Sequence, residues 1–158
     1  MAPLVPWLIF LHVLTAIVAF GPTFAFAIYG ARAGKEPQHA NFMARSNLFV
    51  SDRLVLPLAL TMPVTGLLIV WAAGIDLTKA HWLALAIVLY VVAVTFSWFV
   101  GRPTAQRLVT LTATPPPPGA VGPPPEIPAT VRRIQRNGMF TGLLIVLIVA
   151  LMVVRPQF

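Results

Sequence analysis

The sequence predicts an all-α fold: a bundle of four transmembrane helices with both termini outside and two cytoplasmic loops. Three observations carry this expectation. Four apolar runs, Leu4 to Tyr29, Leu54 to Ala73, Trp82 to Val100 and about Met139 to Val154, each approach the roughly 20 residues that cross a 30 Å hydrocarbon core. Charged residues make up only 9% of the chain, against about 25% in soluble domains. Lys and Arg are also unevenly placed. Arg32, Lys35, Arg45 and Arg53 follow the first run, and Arg102, Arg107, Arg132, Arg133 and Arg136 follow the third, which leaves Lys79 and Arg155 at the other end. Because cytoplasmic loops collect the cations, this nine-to-two split sets the orientation. Trp7, Trp71 and Trp82 then mark the outer interface, and Tyr29 and Trp98 the inner one, where amphipathic rings settle among headgroups.

The whole chain, 1–158, reads as one membrane domain. Its net charge of +7 lies in segments beside the spans, which suits anionic lipid headgroups and argues against nucleic acid as a partner. With no cysteine in the sequence, disulfides, thiolate metal sites and thiol catalysis are excluded. The lipid bilayer is the first partner implied.

The first run resembles a secretory signal only in Ala25-Phe26-Ala27, since it lacks a cationic start and is too long; it is expected to stay as helix 1. Gly21-Pro22 falls within it and predicts a kink. Past Pro37, which suits a first helical turn, Phe42, Met43, Phe49 and Val50 recur at helical spacing, so the second helix is expected to start before the membrane and run into it. Pro57 and Pro63 predict bends in that helix. Gly74 to Lys79 leaves room only for a short turn, making the second and third helices antiparallel neighbours. Residues 114–128 hold eight prolines and predict an extended, semi-rigid cytoplasmic linker. Thr130 is the expected cap of the last helix, which brings Arg132, Arg133 and Arg136 to the inner interface.

Two features bear on packing and chemistry. Gly138 and Gly142 form a G-x-x-x-G pair that lets helix backbones approach, either within the bundle or across a homodimer. His12 is an ionisable group inside an apolar span, which is expensive unless it faces the bundle interior or a wet cavity. Thr15, Ala16, Ala19 and Thr23 continue its helical face as a small and polar stripe, the expected packing face of helix 1.

Counting five residues inward from the outer tryptophans, about 7.5 Å of helix, brings His12 level with Gly66 and Ala86, and the same count from Arg155 reaches Ala150. Thr65 adjoins Gly66, and Tyr90 lies one turn deeper. His12, Thr65, Gly66 and Tyr90 are therefore the candidate site, a small pocket in the outer half. Its imidazole either locks helices through Thr65, Tyr90 or a carbonyl, or serves a ligand or proton. His81 belongs to the outer interface beside Trp82, about 9 Å higher, which disfavours the two as opposed ligands of one haem. His39 carries no such signal. Asp52 and Arg53, with Arg32 or Arg102 nearby, predict an ion-pair network or an anion site, of which an interfacial pair anchoring the second helix at its inner mouth is the commoner outcome.

Leu11-His12-Val13-Leu14 with Gly21, Ser51-Asp52 ahead of Pro63-Val64-Thr65-Gly66, His81-Trp82 with Leu89-Tyr90, and the closing Leu151-Met152-Val153-Val154-Arg155-Pro156 resemble a family of predicted bacterial integral membrane proteins, domain of unknown function 2269. The resemblance covers nearly the whole chain except the proline-rich segment. Arg155-Pro156 stands where that family usually has Lys-Pro, and Arg53-Leu54 where Phe-Thr often follows the aspartate. The layout is more distantly similar to the copper-resistance D-type proteins and to the J-type protoporphyrinogen oxidase. That likeness implies a haem or copper ligand at His12, although no lysine follows Trp82 as those families commonly have. Five methionines without a Met-x-x-Met cluster give copper little support.

Three functional classes follow. The first is a non-enzymatic subunit or accessory protein packing against other membrane subunits in an electron-transfer or transport assembly of the bacterial inner membrane. The second is a small redox protein holding haem b at His12 or handling porphyrins. The third is a transporter or permeability factor, which the scarcity of intramembrane polar residues disfavours.

Overall fold

A computed structural model describes residues 2–114 and 122–156. Among them, four helices are long and apolar enough to cross a membrane: Val5–Lys35, Pro37–Ala73, His81–Ala113 and Glu126–Val154. At 1.5 Å per residue each is roughly 45–55 Å long, well beyond a 30 Å hydrocarbon core. The excess falls where the nine cations lie, so every helix continues past its apolar run at the basic end of the bundle.

Helix α1 (Val5–Lys35) is continuous through Pro22. A 3-10 turn at Pro37–His39 leads into α2 (Ala40–Val50), which passes through a π-helical segment, Ser51–Val55, into α3 (Leu56–Ala73). Helix α4 (His81–Phe96) passes through a second π segment, Ser97–Gly101, into α5 (Arg102–Ala113). Both π segments have the same cause in the sequence. Pro57 and Pro103 have no N–H for the carbonyl four residues back, and their rings crowd it. The helix widens just before each proline, so that Leu56 N–H reaches Ser51 O and Arg102 N–H reaches Ser97 O. Pro63, by contrast, is carried inside α3.

Gly74 ends α3 in the left-handed conformation, φ 64°, where Gly74 N–H donates to Trp71 O and Ile75 N–H to Val70 O. Helix α6 (Glu126–Val154) begins earlier than expected. Thr130 is not its cap: Pro128 fits the first turn, where no N–H is needed, and Thr130 lies inside the helix, buried. Helix α6 therefore takes in the last three residues of the proline-rich stretch, and residues 115–121 of that stretch lie outside the described residues.

The short turn joins α3 to α4, yet the closest helix packing is α1 on α3 and α4 on α6, with α1 also meeting α6. The expected neighbours α3 and α4 meet through a side chain, Tyr90 Oη donating to Ala59 O. Small residues explain the pairing. Ala19 of α1 is fully buried, as is Ala86 of α4, and Ala59, Met62 and Thr65 form the buried face of α3. Most large apolar side chains, Ile17, Leu67, Val88 and Val153 among them, point outward, as they do where the surroundings are lipid. At the basic end α2 lies on α5, fixed by Asn41 Nδ2, which donates to Val109 O and Thr112 Oγ1.

Candidate functional site

His12 and Thr65 come together between α1 and α3. His12 Nδ1 lies 2.7 Å from Thr65 Oγ1, and Thr65 Oγ1–H donates to Met62 O at 3.0 Å. Threonine has one hydroxyl proton, and a helical Thr readily gives it to the carbonyl a turn back. Its oxygen is then the acceptor, and Nδ1–H the donor. In a neutral imidazole the chain His12 to Thr65 to Met62 would thus put the proton on Nδ1 and leave Nε2 with its lone pair. Gly66 completes the contact. A Cβ placed there would sit 3.5 Å from His12 Cε1, so a larger side chain would push the ring away.

Two other residues expected around the pocket, Tyr90 and Ala150, are not brought to the ring. Tyr90 does not face His12; its hydroxyl is bound to Ala59 O, nearly two turns of α3 away from Thr65. Ala150 is exposed, whereas Ala86 is buried. Residue counting fixes depth along a helix but not direction around it, so it offers both Thr65 and Tyr90 as partners of His12 without choosing between them. On α1, Ala19 is fully buried and Thr15 half-buried, its hydroxyl returned to Leu11 O.

A large opening in the bundle lies away from His12. A cleft of about 1370 Å³ lies in the basic half, with walls from every helix, and Gly30 and Gly34 of α1, Tyr90 of α4 and Gly138 and Gly142 of α6 among its lining residues. The glycine pair therefore makes no close backbone contact among the described residues. Nothing stands within 4 Å of a Cβ built at Gly30, Gly34 or Gly138, and Gly142 meets only Phe24, at 3.9 Å. Helices α1 and α6 are held apart here. The small residues of α1, three and four apart, were the available signal for this opening.

At the mouth of the cleft, Arg102 forks onto Asp52, with Nε donating to Oδ1 at 2.9 Å and Nη2 to Oδ2 at 3.0 Å, and its guanidinium lies 5.6 Å from the Trp98 ring centroid. Arg102, not Arg53 or Arg32, is the partner of Asp52; Arg32 pairs with Glu36. At the opposite end Arg155 covers the Trp82 ring, joining the C-terminus of α6 to the start of α4. His81 and His39 are exposed. Among the described residues, no group of three or more His, Cys, Asp or Glu side chains could hold a metal ion.

Four long apolar helices with outward-facing aliphatic side chains and an internally bonded histidine define a multi-pass integral membrane protein. The family model described as Predicted integral membrane protein (DUF2269) matches residues 6–156, and the chain belongs to that family. No curated protein and no solved structure matches the chain.

Proposed function

We propose that the protein is a non-enzymatic integral membrane subunit or accessory protein that packs against a larger electron-transfer or transport assembly. In this reading it sits in the cytoplasmic membrane of a bacterium with both termini outside and the basic end in the cytoplasm. The observation that carries the reading is the cleft, whose walls expose the backbones of Gly30, Gly34 and Gly138 with no neighbour within 4 Å among the described residues. Helix pairs in lipid associate where such small residues let backbones approach, so the cleft suits a helix from another subunit. A photo-crosslinking residue at Gly138, activated in native membranes, tests this. Capture of a different membrane protein is expected; capture of a second copy would replace the assembly by a homodimer, and capture of lipid alone would overturn the reading.

A second reading, a haem b or porphyrin-handling redox protein, is favoured by the His12 geometry. An imidazole held through Nδ1–H with Nε2 unprotonated is the form that ligates iron, and Thr65 would set its orientation. A likeness of layout to copper-resistance D-type and J-type protoporphyrinogen oxidase proteins would imply a ligand at the same position. His12 does not line the large cleft, so a porphyrin would have to lie outside it. A Soret band in the purified protein, lost in His12→Ala, is the result this reading requires; a colourless protein after expression with ample haem overturns it.

A further inference from the structure

The carboxylates of the basic end are all engaged. Glu36 pairs with Arg32, Asp52 with Arg102 and Glu126 with Arg107. The six other cations there, Lys35, Arg45, Arg53, Arg132, Arg133 and Arg136, have no carboxylate partner among the described residues. Three of these six stand within little more than one turn of α6, all exposed. Arg132, Arg133 and Arg136 border a shallow recess of about 410 Å³ whose floor is opened by the small side chain of Ala129. At 3.6 residues per turn this face lies roughly 135° around α6 from the stripe of Val131, Gln135, Gly138 and Gly142 that lines the cleft. It therefore points away from the bundle, toward the surroundings.

Depth supplies the second observation. The three arginines precede Met139, where the apolar run of α6 begins, by roughly 5 to 10 Å along the helix. That places them at or just beyond a headgroup layer roughly 5–7 Å deep on each side of the hydrocarbon. Guanidinium groups bind phosphate oxygens through paired N–H donors and can snorkel to reach them. We infer that Ala129, Arg132, Arg133 and Arg136 form a binding site for the phosphate headgroup of an anionic phospholipid beside α6. The site lies on the far side of α6 from the cleft, so it stands whether or not a partner helix occupies that cleft.

The test uses the full chain in a nonionic detergent, with native mass spectrometry of phosphatidylglycerol retained in competition with phosphatidylcholine. The wild type is expected to retain phosphatidylglycerol preferentially. Each cation near an anionic surface contributes roughly fivefold, so the triple variant Arg132→Gln, Arg133→Gln, Arg136→Gln is expected to lose on the order of a hundredfold in that preference. The charge-matched control Lys35→Gln, Arg45→Gln, Arg53→Gln, whose cations do not border the recess, should lose clearly less. Equal losses in the two triples would mean diffuse surface charge and overturn the site. Inorganic phosphate is the competing source of the same chemistry: if it binds at the recess while phosphatidylglycerol is not preferred, the lipid assignment fails. Should the triple variant not fold, Arg133→Gln alone carries the test, with about a fivefold loss expected and no change overturning the proposal.

Discussion

Asp52 and Arg102 are joined by a two-point fork although 50 residues separate them, and each sits in or directly beside a π-helical segment. Pro57 and Pro103 widen the two helices at the same level, and the ion pair closes the junction between them. Both side chains are about one-third exposed, so the pair is neither fully solvated nor fully buried. Asp52→Asn is expected to lower stability by about 1–2 kcal/mol, and a double-mutant cycle with Arg102→Gln to give a coupling of about 1 kcal/mol. Thermal unfolding in detergent measures both. A coupling near zero would mean that the fork adds nothing beyond helix packing.

The sequence exposed the parts of this architecture that depend on one helix at a time. Apolar run lengths located the spans, and Pro37 marked the start of the second helix before its apolar run. The Asp52 ion pair was legible as a class, but its partner was not, because choosing Arg102 over Arg32 requires knowing which helices adjoin at the basic end. Choosing Thr65 over Tyr90 as the partner of His12 requires the same knowledge. The cleft was hidden because it depends on how far α1 and α6 diverge, and the spacing of Gly138 and Gly142 is equally compatible with contact and with a gap. The π segment before Pro57 lies where only a bend was expected, and the one before Pro103 was not anticipated, although each precedes a proline.

Orientation is open to a direct chemical test. With the basic end in the cytoplasm, a cysteine at Gln106 should resist a membrane-impermeant maleimide added to intact cells, and one at Lys79 should be labelled. Both residues are exposed, so access is controlled by the membrane rather than by burial. The opposite labelling pattern would invert the topology.

At the turn between α3 and α4, Asp76 Oδ1 accepts from Thr78 Oγ1 at 2.6 Å and from Thr78 N at 3.0 Å. The Thr78 hydroxyl bond, followed by the backbone bond, holds the Asp76 carboxyl below its ordinary value. A depressed folded-state value makes the contribution of this turn present above the unfolded-state value and lost as pH falls through the folded one. Titration of Asp76 followed by NMR should therefore show a low midpoint that rises in Thr78→Val. An unchanged midpoint would assign the depression to something other than the Thr78 hydroxyl.

His12 and Thr65 provide the sharpest separation of a structural role from a chemical one. If the chain His12 to Thr65 to Met62 only locks α1 onto α3, His12→Ala and Thr65→Val should each lower stability by roughly 1 kcal/mol, the scale of interhelical hydrogen bonds in lipid. Their combined effect should be clearly less than additive, because either change removes the same bond. Gly66→Leu should resemble them, since its side chain would occupy the space of the imidazole, whereas Gly66→Ala makes an ordinary contact at 3.5 Å and should be tolerated. His81→Ala, at an exposed position, should have a smaller effect. Unfolding midpoints of these variants in one detergent decide the matter. Additive losses from His12→Ala and Thr65→Val would show that the two side chains act separately, and the hydrogen-bonded relay would no longer explain why a histidine is placed inside the first span.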